Sequence, residues 1–127
     1  MFKAFIENKG DSKYYVTTRH ASFVLDTEGN GANPIDTLLA SLSGCIGHYV
    51  KDYLVEHRIA HSGFAIETES GVTPDKTRLS EIKVRIDLKD VNLDDRQVAE
   101  MLKFIENCKI HKILKENPGV SVSLESK

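Results

Sequence analysis

The chain has 127 residues, 40 % of them hydrophobic and 28 % charged, with a formal net charge of -2. That mix suits a globular chain with one domain over residues 1–127 and excludes a largely disordered one. The charge offers no basic field for nucleic acid or an anionic membrane surface, and no apolar run reaches the roughly 18 residues that span a bilayer.

The start, MFKAFIENKG, is too polar for a secretory leader, so a cytoplasmic location is expected. Two cysteines in that compartment are more often reduced, buried or catalytic than bridged. Residues 2–6 (FKAFI) and 13–18 (KYYVTT) read as strands joined at the NKGDS turn cluster, and 21–27 (ASFVLDT) as a third. EGNGANP then breaks the pattern; its G-x-G lacks both the last glycine and the βαβ setting of a nucleotide fingerprint.

The first helix is predicted to begin with Asn33 as N-cap, Pro34 at the first helical position and Asp36 in the positive first turn. It should run to about His57. Its first half, LLASLSGCIG, is apolar or small on every side, which predicts a helix buried all round. One chain of this length does not readily cover such a helix, so a homodimer with a large, intertwined interface is expected.

Residues 63–71 and 78–90 read as two further strands. In the second, Ile82, Val84, Ile86 and Leu88 alternate with Glu81, Lys83, Arg85 and Asp87, which gives one buried and one wet face. Residues 92–108 form an amphipathic pattern with Val98, Met101, Leu102 and Ile105 at helical spacing and Asn92 as candidate cap. KIHKILKEN continues as a short helix or turn to Pro118, and GVSVSLES closes the chain as a strand. Helices segregated from a mostly antiparallel sheet make the fold class α+β.

Cys45 and Cys108 lie on two different predicted helices. Each is either a small buried hydrophobe or half of a thiol pair, in which one sulfur attacks an oxidant and the other resolves the sulfenic acid. His48 follows Cys45 by three residues and His111 follows Cys108 by three. Two such pairs could hold tetrahedral zinc, but their separation is not that of a zinc finger, and no metal or cofactor is expected. His48 is open to two roles, as a base for Cys45 or as a hydrogen-bonded ring. His20, His57 and His61 are expected at the surface. No Ser-His-Asp signature, Walker loop or H-E-x-x-H is present.

NPIDTLLASLSGC resembles the central-helix signature of the OsmC/Ohr family, Asn-Pro-Glu followed by a Leu/Ala-rich stretch ending in Ala-Cys or Gly-Cys. NCKIHKIL resembles the family's second cysteine motif, and the order of elements agrees along nearly the whole chain. The resemblance implies an OsmC-like, mostly antiparallel sheet with a long buried central helix, a second C-terminal helix and an intertwined homodimer. It also implies a thiol-dependent peroxidase whose site lies at the subunit interface. Cys45 would attack a small organic hydroperoxide, Cys108 would close the disulfide, Arg19 would assist, and a dithiol or small-protein reductant would restore both thiols.

Two positions depart from the family pattern. Ile35 stands where the family has Glu, and Lys109 stands where proline is common. Asp36 is turned by about 100° from the Glu position and reads as a helix-start charge. It also lies roughly 13 Å along the helix from Cys45, so a site shared by both needs a partner chain. Asp36, His48, Ser41 and Gly44 are the candidate residues around the thiols. Gly44 and Gly47 either admit a substrate and the second thiol or serve helix packing. Cys108, near the end of its helix, is expected to feel a negative potential that disfavours its thiolate. The lost Glu supports an alternative: a non-catalytic dimer of the same fold that binds a small apolar ligand between subunits.

Overall fold

A computed structural model of the chain describes residues 1–116 and 118–125. The chain divides into two compact units, Met1–Ser41 and the part that begins at Leu42. In the first, β1 (Phe5–Asn8), β2 (Lys13–Thr17) and β3 (Ser22–Asp26) form an antiparallel sheet in that order. The turn cluster between β1 and β2 works through short polar side chains. Asn8 donates to the carbonyls of Asp11 and Lys13 at 2.8 Å, and Gly10 takes a φ of 97° that a side chain would oppose. Asp26 is buried, and its carboxylate accepts from the Ser12 hydroxyl at 3.3 Å and the Glu28 N–H at 2.7 Å.

The central helix α1 (Pro34–Glu56) opens as its cap residues require. The Asn33 side chain accepts from the Ile35 N–H at 2.8 Å, and the Asn33 carbonyl accepts the Thr37 N–H at 2.9 Å. The second unit continues α1 and adds the antiparallel pair β4 (Ala65–Val72) and β5 (Leu79–Asp87), then α2 (Asp95–Ile105) and α3 (Lys109–Glu116).

The core of this unit joins Leu42, Ile46, Val50, Tyr53 and Leu54 of α1 to Met101, Ile105 and Cys108. Ile82, Val84 and Ile86 of β5 cover it, as their alternation predicts. The α2 start lies later than the composition suggests. Asp94, not Asn92, is the cap, because Asp94 and Gln97 form a reciprocal capping box.

Within the single chain the inward stripe of α1 is covered, whereas Ile35, Leu38 and Val55 are exposed, so one chain alone leaves part of this helix uncovered. Composition shows that no side is polar, but only neighbouring elements decide which side is covered. One expectation fails: residues 118–125 form no strand, and Val120, Val122 and Leu124 are 85–91 % exposed. Alternating apolar residues favour extended backbone, but a strand needs an edge to pair with, and the described chain supplies none to this segment. Ser126, the last residue of the expected strand, lies outside the described residues. No helix among the described residues is long and apolar enough to cross a membrane.

Candidate functional site

Cys45 sits in the middle of α1, where it packs against the core cluster that contains Cys108. Both cysteines are free; Cys45 is partly buried and Cys108 has no exposed surface. The α2–α3 junction explains the burial of Cys108. The N–H groups of Asn107 and Cys108 donate back to Phe104 and Ile105 in a tight reversal, and the Cys108 carbonyl then accepts the Lys112 N–H at 3.0 Å. Cys108 is therefore the residue that caps α3. Its sulfur takes the place of a capping oxygen and accepts the His111 N–H at 3.5 Å.

This placement corrects the expected electrostatics. Cys108 faces the amide-rich start of α3, not only the carbonyl end of α2. Burial nevertheless dominates and raises its thiol pKa above the ordinary value, and the adjoining Cys45 side chain raises it further. The N–H groups of His111 and Ile110 pull the other way without prevailing. Cys108 is held as a thiol at neutral pH, a poor nucleophile lying against a more accessible one.

The two helix glycines have different surroundings. A Cβ on Gly47 would lie 3.4 Å from Ile66 Cδ1 and 3.6 Å from Phe64 Cε2, so this glycine belongs to packing against the β4 side. A Cβ on Gly44 would meet nothing within 4 Å. Gly44, beside Cys45, thus borders open space, and close approach within the chain does not account for it. Ser43 is bonded to Thr68 at 2.6 Å across to β4.

The other candidates are placed as follows. Within the first unit, the Arg19 guanidinium stacks over Phe2 at 4.5 Å, Asp36 is an exposed first-turn charge, and Ser41 is exposed. Within the second, the exposed His48 pairs through Nε2 with Asp52 at 3.3 Å. The structure brings Cys45 and Cys108 together in the second unit, while Arg19, Asp36 and Ser41 belong to the first. His57 is exposed, as expected, and its ring stacks on Tyr53 at 4.0 Å with Nδ1 2.9 Å from the Tyr53 carbonyl. Among the described residues no three His, Cys, Asp or Glu side chains cluster as metal ligands would.

Sequence inspection missed Asp52, although its spacing of four from His48 is the ordinary signal of a helical pair. It also missed a cavity of about 280 Å³ between α1, β5 and α3. Leu42, Ile46, Ile82, Val84 and Leu114 give it apolar walls, and His111 and Lys115 also line it. Residues from three separate elements build it, so no local pattern announces it.

A family model described as OsmC-like protein matches residues 27–123. No curated protein matches the chain in sequence. Among solved structures, the OsmC-like protein from Mycoplasma pneumoniae superposes with a TM-score of 0.79 at 17 % identity, over 92 % of this chain and 89 % of that one. An OsmC-like protein of unknown function from Vibrio cholerae gives a TM-score of 0.69 at 10 % identity, over 88 % of this chain and 92 % of that one. The organic hydroperoxide resistance protein OhrB of Bacillus subtilis gives 0.59 at 18 % identity, over 92 % of each chain. At these identities the structural likenesses establish the fold.

Proposed function

Starting from a chain that belongs to the OsmC-like family, we propose that it is a thiol-dependent peroxidase for small organic hydroperoxides, acting as a cytoplasmic homodimer. One observation carries the proposal. Two cysteines far apart in sequence adjoin in the core, one partly exposed and the other buried with its thiol pKa raised. That asymmetry suits an attacking sulfur and a resolving one.

In the proposed cycle the Cys45 thiolate attacks the terminal oxygen of the hydroperoxide. A sulfur–oxygen bond forms as the oxygen–oxygen bond breaks, and the alkoxide leaves as the alcohol after taking a proton. Cys108 then attacks the sulfenic sulfur; the disulfide forms and water departs. A dithiol or small-protein reductant restores both thiols by exchange. The open space beside Gly44 is the proposed approach to Cys45. Arg19 is proposed to hold the peroxide or the thiolate, and Asp36 to act as a helix-start charge and not as the family's missing Glu. The exposed row of Val120, Val122 and Leu124 supports a large dimer interface, and the first unit by itself exposes Phe5, Ile6, Phe23 and Val24. A buried area above about 2,000 Å² is expected.

The test is peroxide consumption with a dithiol reductant. Cys45→Ser should abolish turnover, and Cys108→Ser should stop after one equivalent with a sulfenic acid on Cys45. Failure of the wild-type protein to consume any alkyl or aryl hydroperoxide would remove the proposal. A second reading, a non-catalytic dimer that binds a small apolar ligand, draws on Ile35 at the Glu position and on the apolar cavity beside α1. Retention of an apolar fluorophore without peroxide turnover would favour it.

A further inference from the structure

Cys45, His48 and Asp52 share one stripe of α1, at spacings of three and seven from the cysteine. At about 100° per residue, Asp52 returns to within about 20° of Cys45, and His48 lies between them along the axis. Residues three apart on a helix have Cβ atoms roughly 5–6 Å apart, so His48 stands on α1 one turn beyond Cys45.

Two contacts orient the His48 ring. Nε2 is 3.3 Å from the Asp52 carboxylate, and the ring stands edge-on to Tyr49 at 5.4 Å and 81°. Tyr49 is itself held edge-on by Phe104 of α2 at 5.6 Å. A carboxylate at Nε2 keeps the proton on that nitrogen and leaves Nδ1 as the base, while stabilising the imidazolium once it forms. Asp52 and Tyr49 are the titratable groups seen against the ring. Among the described residues no other element supplies His48 with an ion pair.

Ile35 follows Asn-Pro, and the ionisable side chain nearest to Cys45 along α1 is His48, a single turn past the cysteine. We propose that His48, positioned by Asp52, takes the proton of the Cys45 thiol and later returns it to the departing alkoxide. Asp52 is the positioning residue.

The atoms balance. The thiol proton passes to the imidazole, and the thiolate gives two electrons to the peroxide as the sulfur–oxygen bond forms. The oxygen–oxygen pair leaves with the alkoxide, and the imidazolium proton converts it to the alcohol. The second half of this sequence rests on the peroxidase reading above. The first half, activation of the thiol, does not.

The experiment uses that difference. In the full-length Cys108→Ser protein, alkylation of Cys45 by iodoacetamide is followed from pH 5 to 10, with peroxide turnover by the protein with both cysteines measured alongside. The inflection of this parent profile is the reference for the variants. His48→Gln should raise it by at least one pH unit and slow alkylation about tenfold at pH 7. Asp52→Asn should move it the same way by less. Free imidazole should restore part of the rate in His48→Ala. Superimposable profiles for His48→Gln and its parent would overturn the inference even if peroxide is consumed. A shifted profile without any peroxide consumption would uphold the activation of Cys45 and defeat the peroxidase reading instead.

Discussion

The contrast between Gly44 and Gly47 yields a prediction with opposite outcomes three residues apart on one helix. Replacing a helical glycine by alanine gains about 1 kcal/mol of intrinsic helix preference. At Gly47 the new methyl would lie 3.4 Å from Ile66 and 3.6 Å from Phe64, which is ordinary contact, so Gly47→Ala should stabilise by about 0.5–1 kcal/mol. Leucine at that position adds three more carbons against the same two side chains. Overpacking of this kind costs about 1–3 kcal/mol and should outweigh the helix gain. At Gly44 nothing lies within 4 Å of the added carbon, so both alanine and leucine should be accommodated by the chain itself. Urea unfolding at two protein concentrations tenfold apart measures each variant, since the stability of a dimer depends on concentration. Gly44→Leu should keep the parent's stability at low concentration yet lose peroxide turnover, because it fills the proposed approach to Cys45. Equal destabilisation by leucine at both positions, or a loss of more than about 1 kcal/mol in Gly47→Ala, would refute the assignment of packing to one glycine and access to the other.

Other perturbations follow from the buried titratable groups and the exposed apolar row. Burial first, and then the bond to Glu100, raise the Tyr53 phenol above 10.0, and burial followed by Cys45 raises the Cys108 thiol. Both shifts favour the neutral form in the fold, so their stabilisation is full below the unfolded-state values of about 8.5 and 10 and is lost as pH climbs through the folded-state values. The urea midpoint should therefore fall above about pH 9, and a midpoint that rises there would contradict the sign. Tyr53→Phe removes the 3.0 Å bond to Glu100 and should cost about 1 kcal/mol at neutral pH while flattening the alkaline fall. With stoichiometric peroxide, Cys45 in Cys108→Ser should oxidise at least tenfold faster than Cys108 in Cys45→Ser, a barrier difference of about 1.4 kcal/mol; equal rates would reverse the assignment of roles. Replacing Val120, Val122 and Leu124 together by serine should shift sedimentation toward a 14.2 kDa monomer, and an unchanged dimer would remove that row from the proposed interface.

Local periodicity and capping chemistry were enough to locate most of the elements. Asn33-Pro34 marks the start of α1 because a cap side chain and a fixed φ act within three residues of themselves. The alternation of Ile82, Val84 and Ile86 identifies the covered face of β5 because side chains on a strand alternate by geometry. The two cysteine motifs were equally legible, and they pointed to the family that the match over residues 27–123 establishes. What the sequence could not show were relations between residues distant along the chain. Cys108 proved to be the cap of α3, with its sulfur accepting the His111 N–H, only once a tight reversal after α2 had aligned the two helices. Tyr53 and Glu100 meet across 47 residues, and no spacing rule reaches that far. The closing strand failed for the complementary reason. The alternation of Val120, Val122 and Leu124 is a local property, whereas a strand's hydrogen bonds belong to whichever edge lies beside it, and that is decided by tertiary structure alone.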